Sequence, residues 1–97
     1  QQAIVLPISD KFNDYAESVR AQLKAAGVRA HLDASHEKIG KKIRDAEIKR
    51  IPYMLIVGEK EMNEGKVSVR RKGKGDLGAM DVAELVPSLQ NEIKERL

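Results

Sequence analysis

The stretch YMLIVGEKEMNEGKVSVR, residues 53–70, decides the fold class of this 97-residue chain. Its first five residues are continuously apolar and stop at Gly58, which is typical of a central strand covered on both faces. A second strand-like run begins at Lys66, after only seven intervening residues. A crossover between parallel strands needs about a dozen residues or more. The spacing therefore predicts that the second strand runs antiparallel to the first and follows a turn.

The residues before this stretch predict two strand–helix units. Residues 3–8 form an apolar run and residues 28–33 alternate apolar with polar, so both are predicted strands. Between them, apolar residues recur at helical spacing until Gly27, a favoured helix C-cap. A second helix is predicted from Ser35 to Ile51, because the residue before a proline avoids the helical region. Its buried stripe comprises Ile39, Ile43 and Ala46.

The residues after this stretch predict one more strand and one more helix. Residues 76–80 are expected to form a short fifth strand, reached through a glycine-containing turn. Asp81 and Glu84 have the spacing of a capping box at the start of a last helix. Pro87 clashes with the carbonyl four residues back, so we expect a kink or a restart near Val86. The pattern therefore predicts an α/β domain with five strands and three helices.

Charge is spread unevenly along the chain. The formal net charge is only +3. Residues 37–50 nevertheless carry six basic and three acidic side chains, and residues 65–75 carry five basic and no acidic ones. Two local basic patches favour a polyanionic partner. The alternative is that they are solvated charge that keeps a small domain soluble.

The composition indicates a single domain spanning residues 1–97. There is no cysteine, no signal-peptide pattern and no apolar run of transmembrane length in the sequence, so we expect a cytoplasmic protein without disulfides or a membrane anchor. The chain begins at Gln1 and is apolar by Ala3. We therefore expect it to be a fragment of a longer protein.

Common catalytic and metal-binding motifs do not match this sequence. No glycine-rich P-loop or serine-nucleophile elbow is present. His31 and His36 lie five residues apart with no third ligand at metal spacing. We therefore predict no catalytic residue, no metal site and no cofactor in this chain. Only three aromatic residues occur, so any nucleic-acid recognition must use polar base edges and arginine.

The segments HEKIGKKIR, GEKE, VSVRR and DLGAMDV, all within residues 36–82, together resemble one family. It is the C-terminal anticodon-binding domain of bacterial-type threonyl-tRNA synthetases, class II enzymes grouped with the histidyl, prolyl and glycyl enzymes. The residues before this segment fit the same family. The resemblance implies a three-layer α/β/α domain with a five-stranded mixed sheet in the order 2-1-3-4-5 and an antiparallel strand 4.

The resemblance also implies that the domain reads the second and third anticodon bases of threonine tRNA, G and U. Glu61 corresponds to the family's glutamate after strand 3. A carboxylate matches the paired donors of a guanine edge, N1–H and N2–H2, which uracil lacks. Lys60 would lie beside the same base or the RNA backbone, and Arg70 would read or stack on the bases. Strand alternation independently places Arg70 on one face with Lys66 and Ser68.

The start of helix 2 is the family's second contact region. By resemblance, His36 and Arg44 match binding positions there, although many bacterial relatives have asparagine in place of His36. Together with Gly40, these two residues form one helical stripe. We interpret Gly40 as a point where an RNA backbone can approach closely.

Each of these residues has a simpler alternative. Glu61 could be a solvated turn acid. Arg44 could pair with Glu47 or Glu37 on the helix surface. Three lysines, Lys41, Lys42 and Lys49, are expected to act through long-range electrostatics.

The function predicted from the sequence is recognition of the threonine tRNA anticodon stem-loop, with no catalysis in this chain. By resemblance, the longer protein is a homodimeric threonine–tRNA ligase whose catalytic portion holds ATP, magnesium and zinc. One alternative is a synthetase-derived accessory domain that binds proteins and lacks tRNA specificity. The other is a small doubly wound enzyme, for which the sequence contains no nucleophile or nucleotide loop.

Overall fold

The computed structural model describes residues 3–34, 37–71 and 75–95. Its strands are β1 (Ala3–Pro7), β2 (Ala30–Leu32), β3 (Tyr53–Val57), β4 (Lys66–Arg71) and β5 (Gly75–Asp81). Its helices are α1 (Asn13–Ala25), α2 (Ile39–Ile48), α3 (Glu59–Glu64) and α4 (Val82–Glu95), with a 3-10 turn at Asp10–Phe12 before α1. None of the described helices has both the length and the apolar composition needed to cross a bilayer.

The five strands form one mixed sheet in the order β2-β1-β3-β4-β5. β1 is parallel to both β2 and β3, while β4 is antiparallel to β3 and to β5. Leu55 faces Val69 across the β3–β4 pair. The predicted strand order and the antiparallel fourth strand are therefore confirmed.

Helices cover both faces of the sheet, which gives the expected three layers. On one face, a core cluster joins α1 and α4 to alternate residues of β1, β3 and β4. On the other face, a smaller cluster joins α2 to β1 and β3 only. Val67 and Val69 are fully buried in the first cluster, whereas Ser68 and Arg70 between and after them are partly exposed. The α2 side of β4 and β5 is therefore not covered by any described helix.

The predicted number of helices was one too low, because the GEKE segment forms the short helix α3. Gly58 precedes it, and its N–H donates to Oε1 of Glu61 at 2.9 Å, which satisfies one of the free donors at the helix start. A Cβ at Gly58 would lie 2.6 Å from Cδ1 of Ile8, so a larger residue here would displace the exposed end of that side chain. Gly65 ends the helix in the left-handed conformation, with φ of 70°. Gly58 and Glu61 thus fix the start of α3 and Gly65 fixes its end. The helix has only six residues, too few for sequence periodicity to reveal it.

The last helix runs from Val82 to Glu95 with Pro87 inside it, so it does not restart near Val86, while the alternative, a kink there, stays a prediction. Pro87 removes one backbone donor from the helix. Leu85 and Leu89, on either side of it, are each about 1% exposed and belong to the larger core cluster. Burial of these two side chains holds the helix against the sheet on both sides of the proline.

Lys42 is the one charged residue among the described residues that is buried, with 2% exposure. Its Nζ donates to the carbonyl oxygens of Pro7 at 2.9 Å and Asp33 at 3.3 Å. The expectation that Lys42 acts through long-range electrostatics is therefore wrong, because it lies beside Ile43 on the buried face of α2. Lys41 and Lys49 are exposed, as long-range attraction requires.

The ammonium group of Lys42 lies at the point where β1 and β2 separate. The last paired residues of the two strands are Val5 and Leu32, and one further bond joins the Asp33 N–H to the Val5 carbonyl. Beyond it, β1 continues beside β3 as far as Pro7. The ammonium group bridges the two diverging chains and supplies donors to carbonyls that have left the β1–β2 ladder.

Replacing Lys42 with methionine keeps an unbranched side chain that is one atom shorter and removes both hydrogen bonds. Unpaired buried carbonyls cost about 1 to 3 kcal/mol, so we expect Lys42→Met to lower the free energy of unfolding by that amount, measured by urea denaturation. Lys41→Met is the matched control, because Lys41 is exposed and its loss should change stability by less than about 0.5 kcal/mol. Equal unfolding midpoints for the two variants would contradict the bridging role.

Candidate nucleic-acid interface

The uncovered part of the sheet forms an open face between α2 and β5. We define this open face by Lys66, Ser68 and Arg70 on β4 and by Ala79 on β5, which pairs directly with Ser68. Directly opposed residues of an antiparallel pair project to the same side of a sheet. The predicted alternation is confirmed by Arg71, which lies on the other face with its guanidinium 5.4 Å from the centre of the Tyr53 ring. Of the two adjacent arginines, only Arg70 belongs to the open face.

One flank of α2 borders the open face. Oε1 of Glu47 lies 3.9 Å from Nε of Arg70, which places this side of the helix next to β4. Gly40 and Arg44 occupy the same side as Glu47, because residues three, four and seven apart on a helix share a face. We call these three residues the α2 flank. His36, predicted to extend this stripe, lies outside the described residues.

Arg44 does not form the ion pairs that were its simpler alternative. Within the described chain, Glu37 pairs with Lys41 at 3.3 Å and Glu47 contacts Arg70. Arg44 itself is exposed. Both acids thus contact other cations, and Arg44 is an exposed residue of the flank that borders the open face.

Lys60 and Glu61 lie on α3, at the carboxyl ends of β1 and β3. Parallel sheets of this type bind ligands outside the strand ends where successive crossovers depart in opposite directions. Here β1 connects to β2 on one side, and the chain then returns past β1 to β3. The first turn of α3 therefore brings an exposed lysine and a partly buried glutamate to the switch point of the sheet.

The interaction with Gly58 orients Glu61 but does not exhaust its acceptors. A carboxylate offers about four lone-pair positions, and the Gly58 N–H uses one of them, on Oε1. Glu61 is therefore neither a free turn acid nor fully committed to the helix. It can still accept two hydrogen bonds from a planar partner at the carboxyl ends of the strands.

Tyr15 is a residue of this region that the sequence analysis did not identify. Its hydroxyl donates to the carbonyl oxygen of Lys66 at 2.6 Å, which ties α1 to the start of β4. Burial raises the pKa of Tyr15, and the negative charges of Glu61 and Asp81 raise it further. The phenol therefore lies near Glu61 and stays protonated. A partly buried tyrosine usually finds such a partner, but nothing in the sequence identifies which one.

The predicted contact residues are arranged along a line and not in one cluster. Lys66, next to α3, and Arg70 are separated by four residues of β4, or about 13 Å. Glu61 and Lys60 lie at one end of this line and Arg70 at the other. Such spacing suits several consecutive groups of an extended polymer better than one small ligand. Among the residues described, no three His, Cys, Asp or Glu side chains come together as metal ligands.

Comparisons with known proteins indicate which family the chain resembles. A family model described as an anticodon binding domain matches residues 2–92. Threonine–tRNA ligase of Bacteroides fragilis is 55% identical over 97 residues, covering all of this chain and 15% of that protein. The chain therefore spans about one seventh of the length of the curated relatives it matches.

Two solved structures share the fold. The RNA binding domain of threonyl-tRNA synthetase from Cryptosporidium parvum Iowa II matches with a TM-score of 0.89 at 33% identity, over 94% of this chain and 23% of that one. Prolyl-tRNA synthetase from the same species, complexed with halofuginone and AMPPNP, matches with a TM-score of 0.84 at 26% identity, over 98% and 21% of the two chains. These findings confirm the resemblance predicted from the sequence.

Tyr15→Phe should test the link between α1 and the α3–β4 corner. Loss of the hydrogen bond to Lys66 is expected to cost about 1 kcal/mol at neutral pH. The folded pKa of Tyr15 lies above its ordinary value of 10.0, so the unfolded chain loses this proton first. The protonated Tyr15 hydroxyl therefore makes its full contribution to the free energy of unfolding below pH 10. This contribution is lost as the pH rises through the folded pKa. Urea unfolding should show the gap between wild type and variant narrowing above about pH 10, and a constant gap would contradict this role.

Proposed function

The chain belongs to the family of anticodon binding domains, and we propose that it recognises the anticodon of threonine tRNA as part of a threonyl-tRNA synthetase. The observation that carries the proposal is the oriented carboxylate of Glu61, at the end of an open face that also bears Arg70. Identity of 55% to a threonine–tRNA ligase over the whole chain supports the threonyl type.

Glu61 supplies selectivity in this proposal. The Watson–Crick edge of guanine presents N1–H and N2–H2 side by side, and both can donate to one carboxylate. Cytosine and uracil offer no such pair. A carboxylate left unpaired against a wrong base costs about 1 to 3 kcal/mol. We therefore assign Glu61 to the middle anticodon base, G.

The cations supply attraction and position the strand. Lys60 is exposed beside Glu61 and can neutralise a phosphate without regard to sequence. Arg44 on the α2 flank and Arg70 on β4 can donate to base edges or stack their planar groups on the bases. With three aromatic residues in the chain, arginine stacking is the available substitute for an aromatic platform. We assign these arginines to the middle and third bases, G and U.

Ligation belongs to the rest of such a synthetase in this proposal. The open face contains Lys, Ser, Arg and Ala side chains, which fit binding to RNA. Activation of threonine with ATP and magnesium, and use of zinc, are assigned to the remainder of the longer protein. A homodimeric, cytoplasmic enzyme is the corresponding expectation for that longer protein.

Two anticodon hairpins that differ only in the middle base, G in one and C in the other, test the proposal. Fluorescence titration at fixed low salt should show tighter binding of the G hairpin. Glu61→Gln should remove most of that preference, because glutamine can still accept the Gly58 N–H but replaces one acceptor with a donor. Glu59→Gln on the same helix is the matched control, because it makes the same charge change at an exposed position.

Three results would contradict the proposal. The first is equal binding of the two hairpins by wild type, and the second is binding of neither hairpin. The third is a change of both affinities by the same factor in both glutamine variants. In that last case charge alone, and not a base contact by Glu61, would account for the effect.

Gly40→Ala should have opposite effects on the folding stability of the domain and on its binding to RNA. A Cβ at Gly40 would have no neighbour within 4 Å, so the fold itself does not require glycine here. Alanine should raise the free energy of unfolding by about 0.5 to 1 kcal/mol, measured by thermal denaturation. The added methyl group projects from the α2 flank, so binding of the G hairpin should weaken. A variant that is more stable and binds at least as tightly would show that no RNA backbone approaches Gly40.

A further inference from the structure

Glu47 is an acidic residue at the border of the open face, and no motif in the sequence assigns a role to it. It lies on the last turn of α2, and its Oε1 is 3.9 Å from Nε of Arg70 on β4. Both side chains are about half exposed, at 49% and 42%. The contact joins two elements that face each other across the α2 border of the open face. It is therefore a tertiary contact, unlike the Glu37–Lys41 pair, whose residues are four apart in the sequence.

Asp76 is the other acid near Arg70, because the two residues pair in the β4–β5 register. Its Oδ1 accepts the Gly78 N–H at 2.7 Å, and among the described residues the ion pair of Arg70 is with Glu47 and not with Asp76. The register also shifts between Val69 and Arg70, and a β-bulge of this kind changes the direction of the neighbouring side chain. Glu47 is thus the acid that the guanidinium of Arg70 meets on the α2 side.

The atoms involved decide what Arg70 can bind. A guanidinium has one donor on Nε and four on its two Nη atoms. Glu47 lies on the Nε side, so the Nη edge and the two flat faces remain for a ligand. A phosphate brought to Arg70 would meet the carboxylate of Glu47 and be repelled by it. A base carries no formal charge and would not be repelled in this way.

We propose that Glu47 determines the specificity of the RNA site by directing the Nη edge and flat faces of Arg70 to a base and by keeping phosphates away from it. This inference rests on the proposed function and adds a residue to it. A partly exposed ion pair contributes little to folding stability, so removing the charge should leave the domain folded.

The experiment compares Glu47→Gln with Glu37→Gln, using the same two hairpins. Both changes remove one negative charge, from α2 in Glu47→Gln and from just before α2 in Glu37→Gln, but Glu37 pairs with Lys41 and not with Arg70. Glu47→Gln should tighten binding of the C hairpin by about two- to fivefold with little change for the G hairpin, so the ratio of affinities falls. Glu37→Gln should change both affinities alike and preserve the ratio.

The salt dependence of binding gives a second readout. If Arg70 becomes free to neutralise a phosphate, the slope of log affinity against log salt should steepen by about 0.7 in Glu47→Gln but not in Glu37→Gln. In an Arg70→Lys background the Glu47 change should no longer alter the ratio, because lysine lacks the planar fork.

The outcomes separate this inference from the proposed function. A wild-type preference for the G hairpin combined with identical behaviour of the two glutamine variants would overturn the role of Glu47 and leave the proposed function intact. No wild-type preference would overturn the proposed function. The NMR resonance of the Arg70 Nε–H without RNA decides the contact independently. It should shift in Glu47→Gln and not in Glu37→Gln, and the absence of a shift would overturn the inference.

Discussion

The bridge from Lys42 to the ends of β1 and β2 is the constraint on which the arrangement of this domain depends. It attaches α2 to the β1–β2 side of the sheet through two backbone carbonyls. Because α2 then lies over β1 and β3, it cannot also cover β4 and β5. The open face exists because one helix is held to one side of a five-stranded sheet. A buried cation thus helps to keep the open face uncovered, although it is not one of the residues that form that face.

Acidic residues at a basic surface have a consistent explanation here. Glu61 is oriented by the Gly58 N–H, and Glu47 lies against the Arg70 guanidinium. Each carboxylate is therefore directed by a protein donor before any ligand arrives, which lowers the entropy cost of forming a selective contact. In the proposed function, the lysines attract the polyanion, while the directed acids reject phosphates and bases that do not fit. The proposal thus assigns attraction and selection to different residues of one surface.

The sequence predicted most of the fold because strands and long helices leave periodic patterns. It missed α3, whose six residues are too few for a period and whose start depends on a hydrogen bond to Glu61. It also misplaced Lys42, because a long polar side chain beside a buried stripe is normally expected to reach solvent. For the site, alternation placed Arg70 correctly, and helical spacing grouped Arg44 with Gly40. The contacts of Glu47 and Tyr15 join distant parts of the chain, so no local pattern could indicate them.

The short connection through α3 affects the order in which the strands of the domain pair during folding. β3, β4 and β5 are neighbours in sequence as well as in space, so their pairings close short loops. The parallel pair of β1 and β3 instead joins Ala3 to Tyr53, across half of the chain. Loop closure makes distant pairings slower than local ones. The segment that carries Glu61 and Arg70 is therefore expected to form early, and the amino-terminal half then docks onto it as the slower step.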